Sequence, residues 1–190
     1  MAGEDEFAAQ RARADACLSW MREHVRLLVR LQEGRVPVIV DLFCGGGGSS
    51  EGIRRMGCRA FGVDLWPQPE YVARFGAEWF EQADALDRER LRAWTRRLDP
   101  LGFCGSPPCE GHSTSTFGGA PSATLDLIPD TRDALREQGR PSFIENVRGA
   151  RSSIRDHAIV LHGQTFGLHT DRPRFIEPSG FEVAMSSSLA

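Results

Sequence analysis

Gly105-Ser106-Pro107-Pro108-Cys109 sets a thiol behind two prolines, and small and polar residues follow from 110 to 123. Proline fixes φ, so the pair holds the cysteine at a defined place. The run after it suits a lid that closes over a bound reactant. A nucleophile of this kind needs partners, and the chain carries them in order. Upstream stands Asp41-Leu42-Phe43-Cys44-Gly45-Gly46-Gly47-Gly48. Downstream stand Phe143-Ile144-Glu145-Asn146-Val147 and Arg172-Pro173-Arg174. A turn open to a ligand, a thiol, a carboxyl group in an apolar run and two cations form one chemical set.

Each member also has a plainer reading. A lone cysteine is more often inert core than nucleophile; the proline pair and the acid elsewhere favour the nucleophile. Glu145 is harder to explain structurally, because an unpaired buried carboxylate is costly. Arg172 and Arg174 also fit an exposed edge, where charges contribute little. The glycine run leaves room for a ligand to approach a helix N-terminus, which favours electron-rich groups. Asp64 lies 23 residues beyond Asp41, where an acid at a strand end takes ribose hydroxyls. Together they predict an adenosine-bearing cofactor. Trp66 could cover its adenine face or simply pack in the core. Asp84 could receive the adenine amino group or cap the next helix. A nicotinamide dehydrogenase would use the same turn and acid, but it would not need Pro-Pro-Cys. It also favours a Gly-x-Gly-x-x-Gly spacing that this run meets only loosely.

These groups need a frame. Residues 35–43 are rich in β-branched side chains (Val36, Val38, Ile39, Val40) and read as a buried parallel strand. The glycine turn leads into a helix over 49–56, then a strand over 60–63 that stops at Asp64. That is the first half of a doubly wound fold. Further helices are expected over 86–98 and 129–138, and strands over 101–104 and 142–147. Residues 77–83 are ambiguous. A helix is expected over 154–161, and a hairpin over 165–177 with Asp171-Arg172-Pro173 near its turn or edge. Leu18, Met21, Val25 and Leu28 recur at helical spacing and predict a packing helix over 7–33. The expected organisation is an N-terminal helix (1–33), an α/β domain (34–178) and a frayed tail (179–190).

Composition narrows the classes. The formal net charge is −3, so any grip on nucleic acid must be local or supplied from elsewhere. All 23 cations are arginine, which a GC-rich genome explains without phosphate binding. Five cysteines without a C-x-x-C pair fit neither a disulfide framework nor a zinc site, and His112 and His157 lack ligand spacing. No metal is expected. The start is acidic and no apolar run spans a membrane, so a soluble cytoplasmic protein is expected.

The four ordered segments resemble motifs I, IV, VI and VIII of the cytosine-C5 DNA methyltransferases, and the resemblance covers roughly 36–177. Leu161-His162-Gly163-Gln164-Thr165-Phe166-Gly167-Leu168 is similar to small phage-type members. The resemblance implies a Rossmann-like, mostly parallel α/β methyltransferase fold with S-adenosylmethionine as cofactor. It implies Cys109 as nucleophile, Glu145 as the acid that meets the base, and Arg172 and Arg174 as the paired arginines. It sets Asp41, Phe43, Gly45, Gly47, Gly48, Asp64, Leu65, Trp66, Asp84 and Pro107 around the cofactor. The implied partner is double-stranded DNA with a flipped cytosine.

The chemistry explains the set. Cytosine C5 is a poor nucleophile until a thiolate adds to C6. A cysteine is only a few per cent thiolate at neutral pH, so the site must activate it. A carboxyl group at N3 and the exocyclic amine stabilises charge developing in the ring, and an arginine at O2 fixes its orientation. The base that removes the C5 proton is not named by the sequence.

Two departures stand out. The family usually has glutamine after the cysteine; here the run is Cys109-Glu110-Gly111-His112-Ser113. The family also continues beyond motif VIII with a target-recognition region and two further motifs. Here about a dozen residues follow Glu177. Three readings follow: a DNA cytosine methyltransferase whose recognition part is minimal or sits on a second chain, a degenerate non-catalytic module, or a cytosine methyltransferase for RNA or a smaller nucleotide.

Overall fold

The computed structural model describes residues 34–108, 126–166 and 169–181. The expected helix over 7–33, Cys109 with the run after it, and the end of the tail lie outside them.

Strand β1 (Val38–Leu42) is followed by the glycine turn and helix α1 (Gly48–Arg55). Strand β2 (Arg59–Asp64) comes next, then α2 (Pro69–Phe75), a 3-10 turn (Ala77–Trp79) and β3 (Phe80–Gln82). Helix α3 (Arg88–Leu98) precedes β4 (Gly102–Gly105), and α4 (Ile128–Glu137) precedes β5 (Ser142–Val147). A hairpin of β6 (Ile159–Leu161) and β7 (Arg174–Ser179) completes the order.

The seven strands run β3-β2-β1-β4-β5-β7-β6. Strands β1 to β5 are parallel, and β7 lies antiparallel to both β5 and β6. The chain builds outward from β1 to β3, then crosses back to β4 on the other side of β1. The connections leaving β1 and β4 therefore diverge and open a crevice at their C-terminal ends. Val40, Leu42, Phe61, Val63, Phe103 and Ile144 of the sheet pack with Leu91 and Trp94 of α3 and Ile128 and Leu135 of α4. This is the expected doubly wound, Rossmann-like architecture.

Several local expectations change. Residues 154–161 do not form one helix. Ile159, Val160 and Leu161 instead form an edge strand whose register pairs them with Ile176, Phe175 and Arg174. Two β-branched residues and an apolar neighbour suit a strand as well as a helix, and β7 decides between them. The hairpin thus begins before residue 165, and Asp171-Arg172-Pro173 lies in its connection. Strand β7 runs through Ser179, which pairs with Ser142, one residue past the expected boundary. Helix α2 was not foreseen, because Arg74 and Glu70 interrupt its short apolar face. Asp84 does not cap α3. Asp87 does, accepting from the N–H groups of Glu89 and Arg90 at 3.0 and 3.1 Å.

One buried ion pair fixes the hairpin. Arg132 of α4 meets both oxygens of Glu177 at 2.6 and 2.8 Å and also bonds the Ser153 carbonyl. Breaking such a pair would leave a buried charge uncompensated, at about 3–5 kcal/mol.

Candidate active site

The turn after β1 is built from backbone that side chains resist. Phe43 has φ 59°, Gly45 48° and Gly47 87°. A non-glycine residue in the left-handed region is uncommon, and such strain clusters at functional turns. A Cβ on Gly47 would stand 2.4 Å from the Phe75 ring, so α2 itself demands glycine there. Helix α2 also grips the turn from outside, where the Arg74 guanidinium donates to the Gly46 carbonyl at 3.0 Å.

Asp64 closes the turn from β2. One carboxylate oxygen accepts the Gly45 N–H and the other the Trp66 N–H, each at 3.0 Å. Every carboxylate oxygen has two lone pairs, so each keeps capacity for a ligand hydroxyl. Leu65 and Trp66 are exposed, with Trp66 69% accessible. Core packing is therefore not the role of this indole. Asp84 is exposed too, with one oxygen accepting the Leu86 N–H at 2.9 Å. These groups could hold an adenosine: hydroxyls at Asp64, an apolar face at Trp66, an amine at Asp84.

Asp41 has a different environment. It is 1% exposed. Ser50 Oγ donates to it at 2.6 Å and the Cys104 thiol at 3.3 Å. Tyr71 OH lies 3.0 Å from Ser50 Oγ, whose single proton already serves Asp41, so the phenol donates. Burial pushes the Asp41 carboxyl up to about 6, against those hydrogen bonds. Asp41 thus ties β1 to α1, α2 and β4 from beneath the turn. Tyr71 reaches it because Gly62 has no side chain; a Cβ there would sit 2.4 Å from the ring.

The second half of the site lies at the ends of β4, β5 and β7. Strand register sets Arg174 beside Val147, and Arg174 Nε bonds a Glu145 oxygen at 2.8 Å. Burial pushes the Glu145 carboxyl up, while Arg174, the Ser106 hydroxyl and Arg172 favour its ionised form. The net shift is upward, with burial the larger effect. Asn146 is 1% exposed, and its amide donates to the Pro107 carbonyl at 3.0 Å. Its oxygen accepts the Val147 N–H at 2.8 Å. The proline segment is thereby pinned to the end of β5. Ser106 and Asn146 were not singled out by role from the sequence. Asn146 carried a signal, being a second polar residue directly after Glu145 in a largely apolar strand.

The glycine turn and the second half share one open cleft of about 760 Å³, whose lining does not include Asp64, Leu65, Trp66 or Asp84. Phe43, Cys44, Gly48 and Ser49 line it from the turn; Ser106, Pro107 and Pro108 from β4; Glu145, Asn146, Arg172 and Arg174 from β5 and the hairpin. Cys109 follows Pro108 in the chain and lies outside the described residues. Arg172 is exposed, and only Arg174 of the two meets Glu145 among the described contacts. Cys44 also lines the cleft, but burial and then the charges of Asp41 and Asp64 push its thiol up. A second cavity of about 570 Å³ lies at the opposite end of the sheet. Of its charged groups, Arg132 and Glu177 pair with each other. Among the described residues no cluster of His, Cys, Asp or Glu could hold a metal ion, and no helix is long and apolar enough to cross a membrane.

The fold is a doubly wound, Rossmann-like α/β domain with a crevice at the C-terminal ends of its parallel strands. Schizosaccharomyces pombe Dnmt2 methyltransferase superposes with a TM-score of 0.55 at 17% identity, over 80% of this chain and 52% of that one. Spodoptera frugiperda DNMT2 gives 0.48 at 16%, over 74% and 48%. A Burkholderia thailandensis 1,6-didemethyltoxoflavin-N1-methyltransferase with bound S-adenosylhomocysteine gives 0.37 at 17%, over 80% and 58%. The chain spans about half the length of the Dnmt2 structures. No protein-family model and no curated protein sequence matches it.

Proposed function

We propose that the chain transfers a methyl group from S-adenosylmethionine to C5 of cytosine in DNA, through a covalent bond between Cys109 and C6. The observation that carries the reading is the shared cleft. Glu145, paired with Arg174 and bonded by Ser106, lines the same space as the glycine turn and Pro108. The likeness to a Dnmt2 methyltransferase supports the fold side of the argument.

S-adenosylmethionine would supply an electrophilic methyl group, held through Asp64, Trp66 and Asp84. The chain's own residues do the rest. Pro107 and Pro108 fix where the peptide enters Cys109, whose thiolate attacks C6. Glu145, half-buried and with a raised pKa, can carry a proton to N3 while accepting from the exocyclic amine. Its bond to Arg174 is a resting arrangement. Base entry loosens it, and the guanidinium moves toward O2. The charge of −3 and the small number of cations at the cleft fit a local grip on a flipped base rather than a long phosphate track.

Trapping tests this. With S-adenosylmethionine, an oligonucleotide carrying 5-fluorocytosine should form a denaturation-resistant complex with the full chain, and Cys109→Ser should abolish it while calorimetry still detects cofactor binding. Duplex DNA and single-stranded RNA are run in parallel. A complex with RNA alone moves the substrate to RNA. Absence of a complex with either carrier, even with a recognition subunit supplied in trans, overturns the catalytic reading in favour of a non-catalytic module.

A further inference from the structure

After methyl transfer, C5 carries both a hydrogen and the new methyl group. The proton must leave before Cys109 can be released. This step needs a base, and Glu145 is poorly suited to it. A carboxyl group engaged at N3 and the exocyclic amine lies in the ring plane, whereas the C5 proton departs perpendicular to that plane. Cys44 is buried, and that burial pushes its thiol up, away from the thiolate form that could accept a proton. The arginines are permanent cations.

His162 is the remaining proton-exchanging side chain among the described residues that line the cleft. It follows the last residue of β6, whose Leu161 pairs with Arg174. Its Nδ1 lies 2.9 Å from an Asp171 carboxylate oxygen. An acid at Nδ1 holds the proton there and leaves Nε2 as the acceptor. Asp171 also begins the short segment that carries Arg172 and Arg174. One stretch of chain therefore orients the imidazole and supplies the cations of the base site. His162 is half-exposed, so solvent can take the proton onward.

We propose that His162, oriented by Asp171, accepts the C5 proton. The inference rests on the cytosine reading above. The C5–H electron pair forms the C5=C6 double bond, the C6–S bond breaks, and Cys109 leaves as thiolate. The proton passes to Nε2 and then to water. His162 is the catalytic group; Asp171 is a positioning residue.

The experiment follows methyl and proton separately on the oligonucleotide carrier that gives the fluorocytosine complex. Its cytosine bears tritium at C5, and S-adenosylmethionine carries a labelled methyl group. In the unaltered chain, tritium release should match methyl incorporation. In His162→Gln, single-turnover methyl incorporation should persist, tritium release should fall at least 10-fold, and a methylated covalent complex with ordinary cytosine should accumulate. Asp171→Asn keeps the imidazole and should show the same split, less severely. Trapping with 5-fluorocytosine precedes the proton step and should be unchanged in both variants. Normal trapping with tritium release still matching methyl incorporation in His162→Gln overturns the role of His162 and leaves the cytosine reading intact. Loss of trapping together with methyl incorporation in both variants overturns it too, because the residues would then be structural. Failure of trapping in the unaltered chain overturns the parent reading instead.

Discussion

The two halves of the cleft are built by opposite means. The turn between β1 and α1 is held by backbone. Asp64 binds two main-chain N–H groups, Arg74 binds the Gly46 carbonyl, and Asp41 is sealed beneath. The region around Glu145 is held by side chains, with Arg174 and Ser106 on the carboxyl group and Asn146 pinning the proline segment. Backbone bonding gives a fixed seat that tolerates little substitution. Side-chain bonding gives a site that can rearrange when a ligand enters. On the proposed reading, the cofactor takes the first and the base to be activated takes the second.

The contrast can be broken most sharply at Glu145. Glu145→Gln removes the proposed proton carrier but keeps the shape. Turnover should fall about 100- to 10,000-fold, with cofactor affinity unchanged by calorimetry. An equal loss of cofactor affinity would mean that the halves are not separable.

The next effect is one of pH. Asp41 has a folded pKa raised from 3.8 to about 6. Its contribution to stability is therefore full below about 4 and is lost as pH rises through 6, at most about 3 kcal/mol. Burial raises Glu145 as well, with the same sign. Glu177 runs the other way. Burial alone would raise it, but Arg132 and the Arg155 N–H outweigh that and lower it. Its contribution is present above the ordinary carboxylate range and is lost only in stronger acid. Thermal unfolding should show stability rising from pH 7.5 to 5, and Asp41→Asn should flatten that slope. An unchanged slope would show that Asp41 is not the titrating group.

At the cofactor seat, Asp64→Ala should weaken S-adenosylmethionine binding by about 1–3 kcal/mol, because two backbone donors and the ligand hydroxyls lose their acceptor. Trp66→Ala should cost about 0.5–1.5 kcal/mol of the same binding and leave thermal stability unaltered, since the indole is exposed. A drop in melting temperature would move Trp66 from the ligand to the fold.

Legibility in the chain followed locality. Strands β1, β2, β4 and β5 were readable because a buried parallel strand is a short apolar run. The 154–161 segment was not, because Ile159-Val160-Leu161 is ambiguous until β7 pairs with it. Helix α2 escaped because its contribution is to the neighbouring turn: Tyr71 and Phe75 fill the space that Gly62 and Gly47 leave empty. The place of Asp64 at the end of β2 was legible by its spacing from Asp41. Asp41 itself looks the same in the sequence whether it faces a ligand or lies sealed under Ser50 and Cys104.

By itself the sequence determined the residue types and their order: a glycine turn, a Pro-Pro-Cys segment, an acid in an apolar run and two arginines. Those follow from local chemistry, because strained φ values need glycine and a fixed thiol benefits from proline. The tertiary structure decided which groups meet. The crossing from β3 back to β4 brings the turn and the proline segment to one crevice. The antiparallel return of β7 sets Arg174 against Glu145. The connection before it sets Asp171 against His162. Such pairings depend on strand register over separations of many residues, which no local pattern encodes.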